Sequence, residues 1–164
     1  MSKRLQFDLR KAITEPVENT VFIPIENNMY SSHATIIVPD GPYKGIPIHI
    51  HIELPKTYPL DAPAAYVKSS FSHKFHEHVH TAGSICCDLT SNFKSYFGEN
   101  KGGGWTSICS INSLLLQLGT FFSYDIDLPV RMMPSNEDID IMRVEQETFV
   151  CPECKYCYLD KKYT

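Results

Sequence analysis

The chain has 164 residues, 43% of them hydrophobic and 12% aromatic, with a formal charge of −4 and a pI near 5.9. That size and apolar content fit one folded domain with a short appendage and exclude a disordered chain. The acidic balance argues against a binder held mainly by nucleic-acid phosphates, and no apolar run approaches the ~20 residues of a membrane span, so neither nucleic acid nor a membrane is an expected partner.

The opening residues Met1-Ser2-Lys3-Arg4-Leu5 lack the apolar stretch of a secretory signal. The six cysteines are therefore expected as reduced thiols in a cytoplasmic or nuclear protein rather than as a disulfide framework. They fall in two groups: Cys86, Cys87 and Cys109 in the body, and Cys151, Cys154 and Cys157 near the end.

Residues 2–14 read as an amphipathic helix, with Leu5, Leu9, Ala12 and Ile13 at helical spacing and Arg4, Asp8, Arg10 and Lys11 off that stripe. Glu15-Pro16 ends it, because the residue before proline avoids helical backbone. Residues 20–25 and 30–38 follow as strands, the second closing on the β-branched run Thr35-Ile36-Ile37-Val38. After the turn signal Pro39-Asp40-Gly41-Pro42, residues 46–54 alternate, placing Ile46, Ile48, Ile50, Ile52 and Leu54 on one side and Pro47, His49, His51 and Glu53 on the other. This predicts an antiparallel meander with one buried face, on whose open face His49 and His51 are expected as solvated histidines. Three prolines between Pro55 and Pro63 make a rigid connection, and residues 64–67 supply a fourth strand.

Two further helices are predicted. Residues 107–122 carry a broad apolar stripe through Ile108, Ile111, Leu114, Leu115, Leu118 and Phe122. Residues 135–149 start with a capping-box pattern of Ser135 and Asp138 behind Pro134. The whole is an α+β domain: an N-terminal helix, a four-stranded antiparallel meander, then C-terminal helices. Its expected extent is 1–149, with 150–164 as a cysteine-rich tail.

Between the fourth strand and the apolar helix lies the stretch with most chemistry, His76-Glu77-His78-Val79-His80-Thr81-Ala82-Gly83-Ser84-Ile85-Cys86-Cys87-Asp88-Leu89. On the residues alone, Cys86 is either a nucleophile or a core thiol. His73, His76, His78 and His80 are of a type that binds metals, but their spacing fits no zinc pattern. A phosphate-binding loop is excluded, since Gly102-Gly103-Gly104 is followed by no Lys-Ser or Lys-Thr pair.

Over residues 2–130 the order of motifs resembles the ubiquitin-conjugating enzymes. The likeness is carried by the N-terminal helix, by Gly41-Pro42-Tyr43-Lys44-Gly45, by Pro55-Lys56-Thr57-Tyr58-Pro59-Leu60-Asp61-Ala62-Pro63, by His76-Glu77-His78 followed by Gly83 and Ile85-Cys86, and by the single tryptophan, Trp105, as the opener of the next helix. The resemblance implies that Cys86 accepts ubiquitin as a thioester from an activating enzyme and passes it to a lysine or to a ligase. It implies no required cofactor, since ATP is used by the activating enzyme, and a monomer.

The family's His-Pro-Asn triplet aligns with His76-Glu77-His78. The resemblance gives His76 the role of bracing the loop, and gives His78, in place of the usual asparagine, the role of donating to the oxyanion or its loop. Glu77 replaces the usual proline. Cys87 is read as packing. Asp127, with Asp125 as its neighbour, matches the acidic residue that orients an incoming lysine. Arg4, Leu60, Ser107 and Ile108 match positions that contact ligases or the activating enzyme. Residues 90–104 are longer than in the family's short members and are either a lid or an inert insertion. In the tail, Cys151-Pro152-Glu153-Cys154-Lys155-Tyr156-Cys157 looks like one zinc knuckle that lacks a fourth ligand, with Cys151, Cys154 and Cys157 as candidate zinc ligands. Three rival readings stay open: a ubiquitin-binding module of the same fold without catalysis, a conjugator of another ubiquitin-like protein, and a zinc-binding interaction protein.

Overall fold

A computed structural model describes residues 2–71, 74–93, 103–123 and 134–160. Helix α1 spans Lys3–Thr14 and is followed by strands β1 (Thr20–Ile25), β2 (Asn28–Ile37), β3 (Pro47–Glu53) and β4 (Ala64–Val67). Helices α2 (Ile111–Ser123) and α3 (Asn136–Thr148) follow, with a 3-10 turn at Thr81–Gly83 between β4 and α2. The strands form one antiparallel sheet in the order β1-β2-β3-β4, each next to its sequence neighbour. The α+β meander expected from the sequence is the architecture observed. Among the described residues no helix is long and apolar enough to cross a membrane.

Register decides what each face of the sheet does. Ala34 pairs with Ile50, Ile36 with Ile48, and Ile52 with Ala65, so one face is a patch of small and β-branched side chains. Leu5 and Ala12 of α1 and Ile111, Leu114, Leu115, Leu118 and Phe122 of α2 bury against that face as one core. Side chains alternate along a strand, so the odd-numbered residues turn the other way. His33 pairs with His51 and Thr35 with His49 on that second face.

The second face departs from expectation. His33 and Thr35 are buried, and His49 is only 2% exposed. The alternation placed His49 correctly on the face opposite the core, but residues 149–156 fold back over it: Tyr156 stacks on the His49 ring at 5.4 Å and Phe149 packs at 5.8 Å. The tail is held as a small unit of its own by Cys151 N–H donating to Tyr156 O at 2.9 Å and Lys155 N–H to Cys151 O at 3.0 Å.

Helix ends also follow local chemistry. Ser135 caps α3, accepting from Asp138 N–H while Asp138 accepts from Ser135 N–H, as its capping-box pattern predicts. Helix α2 begins at Ile111, four residues later than its apolar stripe suggests. Ser110 and Ser113 exchange reciprocal bonds from backbone N–H to hydroxyl, so the start is fixed at Ser110, and Trp105 lies ahead of the helix in the connection.

Candidate active site

The loop carrying Cys86 is a short extension of the sheet. Ile85 N–H donates to Ala65 O of β4 at 3.0 Å, and Tyr66 bridges Ser84. The chain then folds on itself: Val79 bridges Ile85, His80 N–H donates to Ser84 O, and Cys86 N–H donates to His78 O at 2.9 Å. Gly83 makes this reversal possible. Its φ is +76°, and a Cβ there would overlap the Val67 carbonyl oxygen.

The two adjacent cysteines separate as expected for extended backbone. Cys87 joins the hydrophobic core, whereas Cys86 stays outside that cluster, although it is only 4% exposed. Burial first, and then the Asp88 carboxylate, raise the Cys86 thiol above its ordinary range. Burial raises Cys87 further, to about 11, so it is the poorer thiolate.

His76 is committed at both ring nitrogens. Nδ1 accepts from His78 N–H at 3.2 Å, and Nε2 donates to Phe121 O at 3.0 Å, while the ring stacks on Phe121 at 4.0 Å. It thereby ties the loop to the C-terminal end of α2. His78 is half-buried, and its Nε2 lies 3.3 Å from Glu77 Oε1. Asp125, Asp127 and His73 lie outside the described residues, as do residues 94–102 of the long segment before Trp105. The described start of that segment is structural. Thr90 Oγ1 donates to Ile85 O and accepts from Cys87 N–H, and Asn92 joins Ala65 N–H to the Ser84 hydroxyl. Sequence reasoning passed over both residues, because a hydroxyl and an amide in an irregular stretch give no periodic signal.

The four positions matched to partner contacts draw together around Arg4. Its guanidinium donates to the carbonyls of Ser107 (3.1 Å), Ile108 (3.3 Å) and Cys109 (2.8 Å). Its Nε pairs with Asp8 at 2.7 Å, which also accepts from Tyr58 Oη at 2.6 Å. Asp8 lies off the apolar stripe of α1, yet it is buried as the hub between α1, the proline-rich connection and the loop before α2. Trp105 Nε1 donates to Pro59 O, tying the same two loops beside Leu60. Leu60 is 75% and Ile108 87% exposed, so the hub presents two unpartnered apolar side chains.

The tail cysteines divide. Cys151 and Cys154 face His33 and His49 of the sheet, but Cys157 does not join them: its sulfur turns to Glu147 O at 3.9 Å. Cys157 is thus set apart from Cys151 and Cys154. The bridge between Val150 and Cys157 sends Cys157 back along the end of α3, away from the sheet.

Known proteins resemble this chain in sequence. The family model described as "Ubiquitin-conjugating enzyme" matches residues 4–148. The chain is 26% identical over 125 residues to Ubiquitin-conjugating enzyme E2 N of Drosophila melanogaster, covering 75% of this chain and 73% of the fly protein. It is 28% identical over 91 residues to Ubiquitin-conjugating enzyme E2 2 of Trichoderma harzianum and 26% over 91 residues to that of Neurospora crassa, covering 55% of this chain and 58% of each fungal protein. The chain thus spans somewhat over half the length of these fungal relatives. With a match over most of its length and the four-stranded antiparallel meander in place, the chain belongs to the ubiquitin-conjugating enzyme family.

Proposed function

We propose that the protein carries ubiquitin as a thioester on Cys86 and delivers it to a lysine or to a ligase. The observation that carries this reading is the division of the cysteine pair: Cys87 packs in the core, while Cys86, one residue earlier, is held outside it on a braced loop. In charging, the Cys86 thiolate attacks the thioester carbonyl on the activating enzyme. A new C–S bond forms, the old one breaks, and the activating enzyme's cysteine leaves as thiolate. In discharge, an amine attacks the same carbonyl, C–N replaces C–S, Cys86 leaves as thiolate, and the amine loses a proton to base.

Both steps place negative charge on the carbonyl oxygen. The backbone N–H groups beside the sulfur are already engaged, Cys86 with His78 O and Cys87 with Thr90 Oγ1. We assign the donor to His78, with His76 as its positioning residue. Asp127 is assigned to orienting the incoming lysine. Arg4, Leu60, Ser107 and Ile108 are assigned to the surface met by the activating enzyme and ligases.

A second reading, a ubiquitin-binding module of the same fold without catalysis, is favoured by one observation. Cys86 is 4% exposed, so charging requires a local opening. Incubation with ubiquitin, activating enzyme and ATP on a non-reducing gel separates the two. The expected result is a reductant-sensitive adduct that persists in Cys87→Ala and disappears in Cys86→Ala. Absence of an adduct with ubiquitin and with every other ubiquitin-like protein tried would leave the binding module.

A further inference from the structure

On the outer face of the sheet, four ligand atoms from distant parts of the chain converge. His33 on β2, His49 on β3, and Cys151 and Cys154 in the tail each turn one nitrogen or sulfur to a common point, and these atoms all lie within 4.8 Å of one another. His33 Nδ1 is 2.9 Å from His49 Nε2, Cys151 Sγ is 3.4 Å from His33 Nδ1, and Cys154 Sγ is 3.4 Å from His49 Nε2. A tetrahedron built from Zn–N bonds of about 2.0–2.1 Å and Zn–S bonds of about 2.3 Å has edges of roughly 3.3–3.8 Å. The three separations of 2.9–3.4 Å lie within about half an ångström of that shape, and all four atoms lie within 4.8 Å of one another.

The atoms behind the four matter as much. A histidine that binds a metal through one nitrogen commonly donates its other N–H to a carboxylate or an oxygen, which fixes the ring and its tautomer. Both histidines are held this way. His33 Nε2 lies 3.1 Å from Glu153 Oε2, and Glu153 is itself paired with Lys68 at 2.7 Å. His49 Nδ1 lies 2.9 Å from Thr35 Oγ1. With a proton on each outer nitrogen, both inner nitrogens present lone pairs to each other, an arrangement that a cation between them relieves.

The tail is shaped to supply the sulfurs. Lys155, directly after Cys154, adopts φ +61°, and this turn lets Tyr156 N–H donate to the Cys154 sulfur. Glu153, between the two cysteines, reaches His33, so one short segment provides two ligands and the support for a third.

We propose that His33 Nδ1, His49 Nε2, Cys151 Sγ and Cys154 Sγ bind one zinc ion tetrahedrally and so fasten the tail across the outer face of the sheet. Two thiolates and two neutral imidazoles suit zinc among the common divalent ions, and a set of four protein ligands is that of a structural rather than a catalytic centre. Binding releases the two thiol protons, and the resulting centre, Zn²⁺ with two thiolates, carries no net charge, as a buried position requires. Cys157 is not a ligand.

The test is metal content and metal spectroscopy on the full chain, purified under reducing conditions without chelator. One zinc per chain is expected, retained in Cys157→Ser and lost in Cys154→Ser and His49→Ala. Because those two variants can fail to fold, the wild-type protein stripped of metal is also titrated with Co²⁺. A thiolate-to-cobalt charge-transfer band with the intense visible bands of a tetrahedral site is expected, bleached by one equivalent of Zn²⁺. Glu153→Gln is expected to keep the stoichiometry and weaken zinc about 10- to 100-fold in competition with a chromophoric chelator. The proposal is overturned by protein that arrives without zinc and gives no thiolate–cobalt band, by loss of zinc in Cys157→Ser, or by a Cys151–Cys154 disulfide that persists in reductant.

Discussion

Near Cys86 the ring of His76 faces the backbone, whereas on the outer face of the sheet His33 and His49 face each other. His76 spends both ring nitrogens on Phe121 O and His78 N–H. His33 and His49 each spend one nitrogen on a support, Glu153 or Thr35, and keep the other for a shared point with two sulfurs. The residue types are the same, and so is the presence of a nearby carboxylate. What separates a candidate nucleophile from a candidate metal centre is where the lone pairs point. The carboxylates act oppositely too: Asp88 raises the Cys86 thiol, while Glu153 steadies a ring.

Exchanging the cysteines tests that contrast most severely. Cys86→Ala is expected to abolish the ubiquitin adduct and leave zinc at one per chain. Cys154→Ser is expected to do the reverse, keeping the adduct wherever the variant folds. Loss of both properties in Cys86→Ala, read by gel and by metal analysis, would break the separation of the two regions.

Gly83→Ala comes next in size. It forces a side chain into left-handed backbone and against the Val67 carbonyl, at a cost of about 1–3 kcal/mol in urea denaturation. Charging at Cys86 is expected to slow, since the displaced turn carries the strand that holds it, while zinc content stays unchanged.

The carboxylate contrast is sharpened by Asp88→Asn. A raised thiol is mostly protonated at neutral pH, and its thiolate fraction grows as pH rises beyond the ordinary thiol range. Removing the Asp88 charge favours the thiolate, so alkylation of Cys86 by iodoacetamide, followed by mass spectrometry in a Cys87→Ala background, is expected to rise at lower pH than in the parent. An unshifted profile would leave burial as the sole cause.

The smallest effect is expected at Ser135, which caps the helix leading into the tail. Ser135→Ala is expected to cost about 1 kcal/mol in chemical denaturation with zinc content and charging unchanged. Its partner Asp138 is held down to about 2 by Lys74 and then Ser135, so its contribution is present above the ordinary carboxylate value and fades as pH falls toward about 2.

Much of this was legible in the chain because the regular elements carry periods. The alternation from Ile46 to Leu54 gave β3 and its buried face, and the leucines of α2 gave a helix, though its start waited on Ser110 and Ser113. The Cys86 stretch was legible as a motif. The outer face was not, because alternation says which side a residue takes and not what covers that side. His49 was seen on its face, but Cys154 lies 105 positions away, and His33 sat in a strand whose pattern drew attention only to its β-branched end. Asp8 gave no signal for a similar reason: helical spacing places it off the apolar stripe, and only the fold brings Tyr58 and Arg4 to it.

That Arg4 clasp also bears on recognition kinetics. Three consecutive carbonyls from Ser107 to Cys109 are held by one guanidinium, itself fixed by a buried carboxylate. A partner closing on Ile108 and Leu60 therefore meets a loop that is already set, and little conformational freedom remains to be lost on contact. Loosening the clasp, as Arg4→Ala does, converts that saving into an ordering penalty on every encounter, even for a partner that never touches the arginine itself.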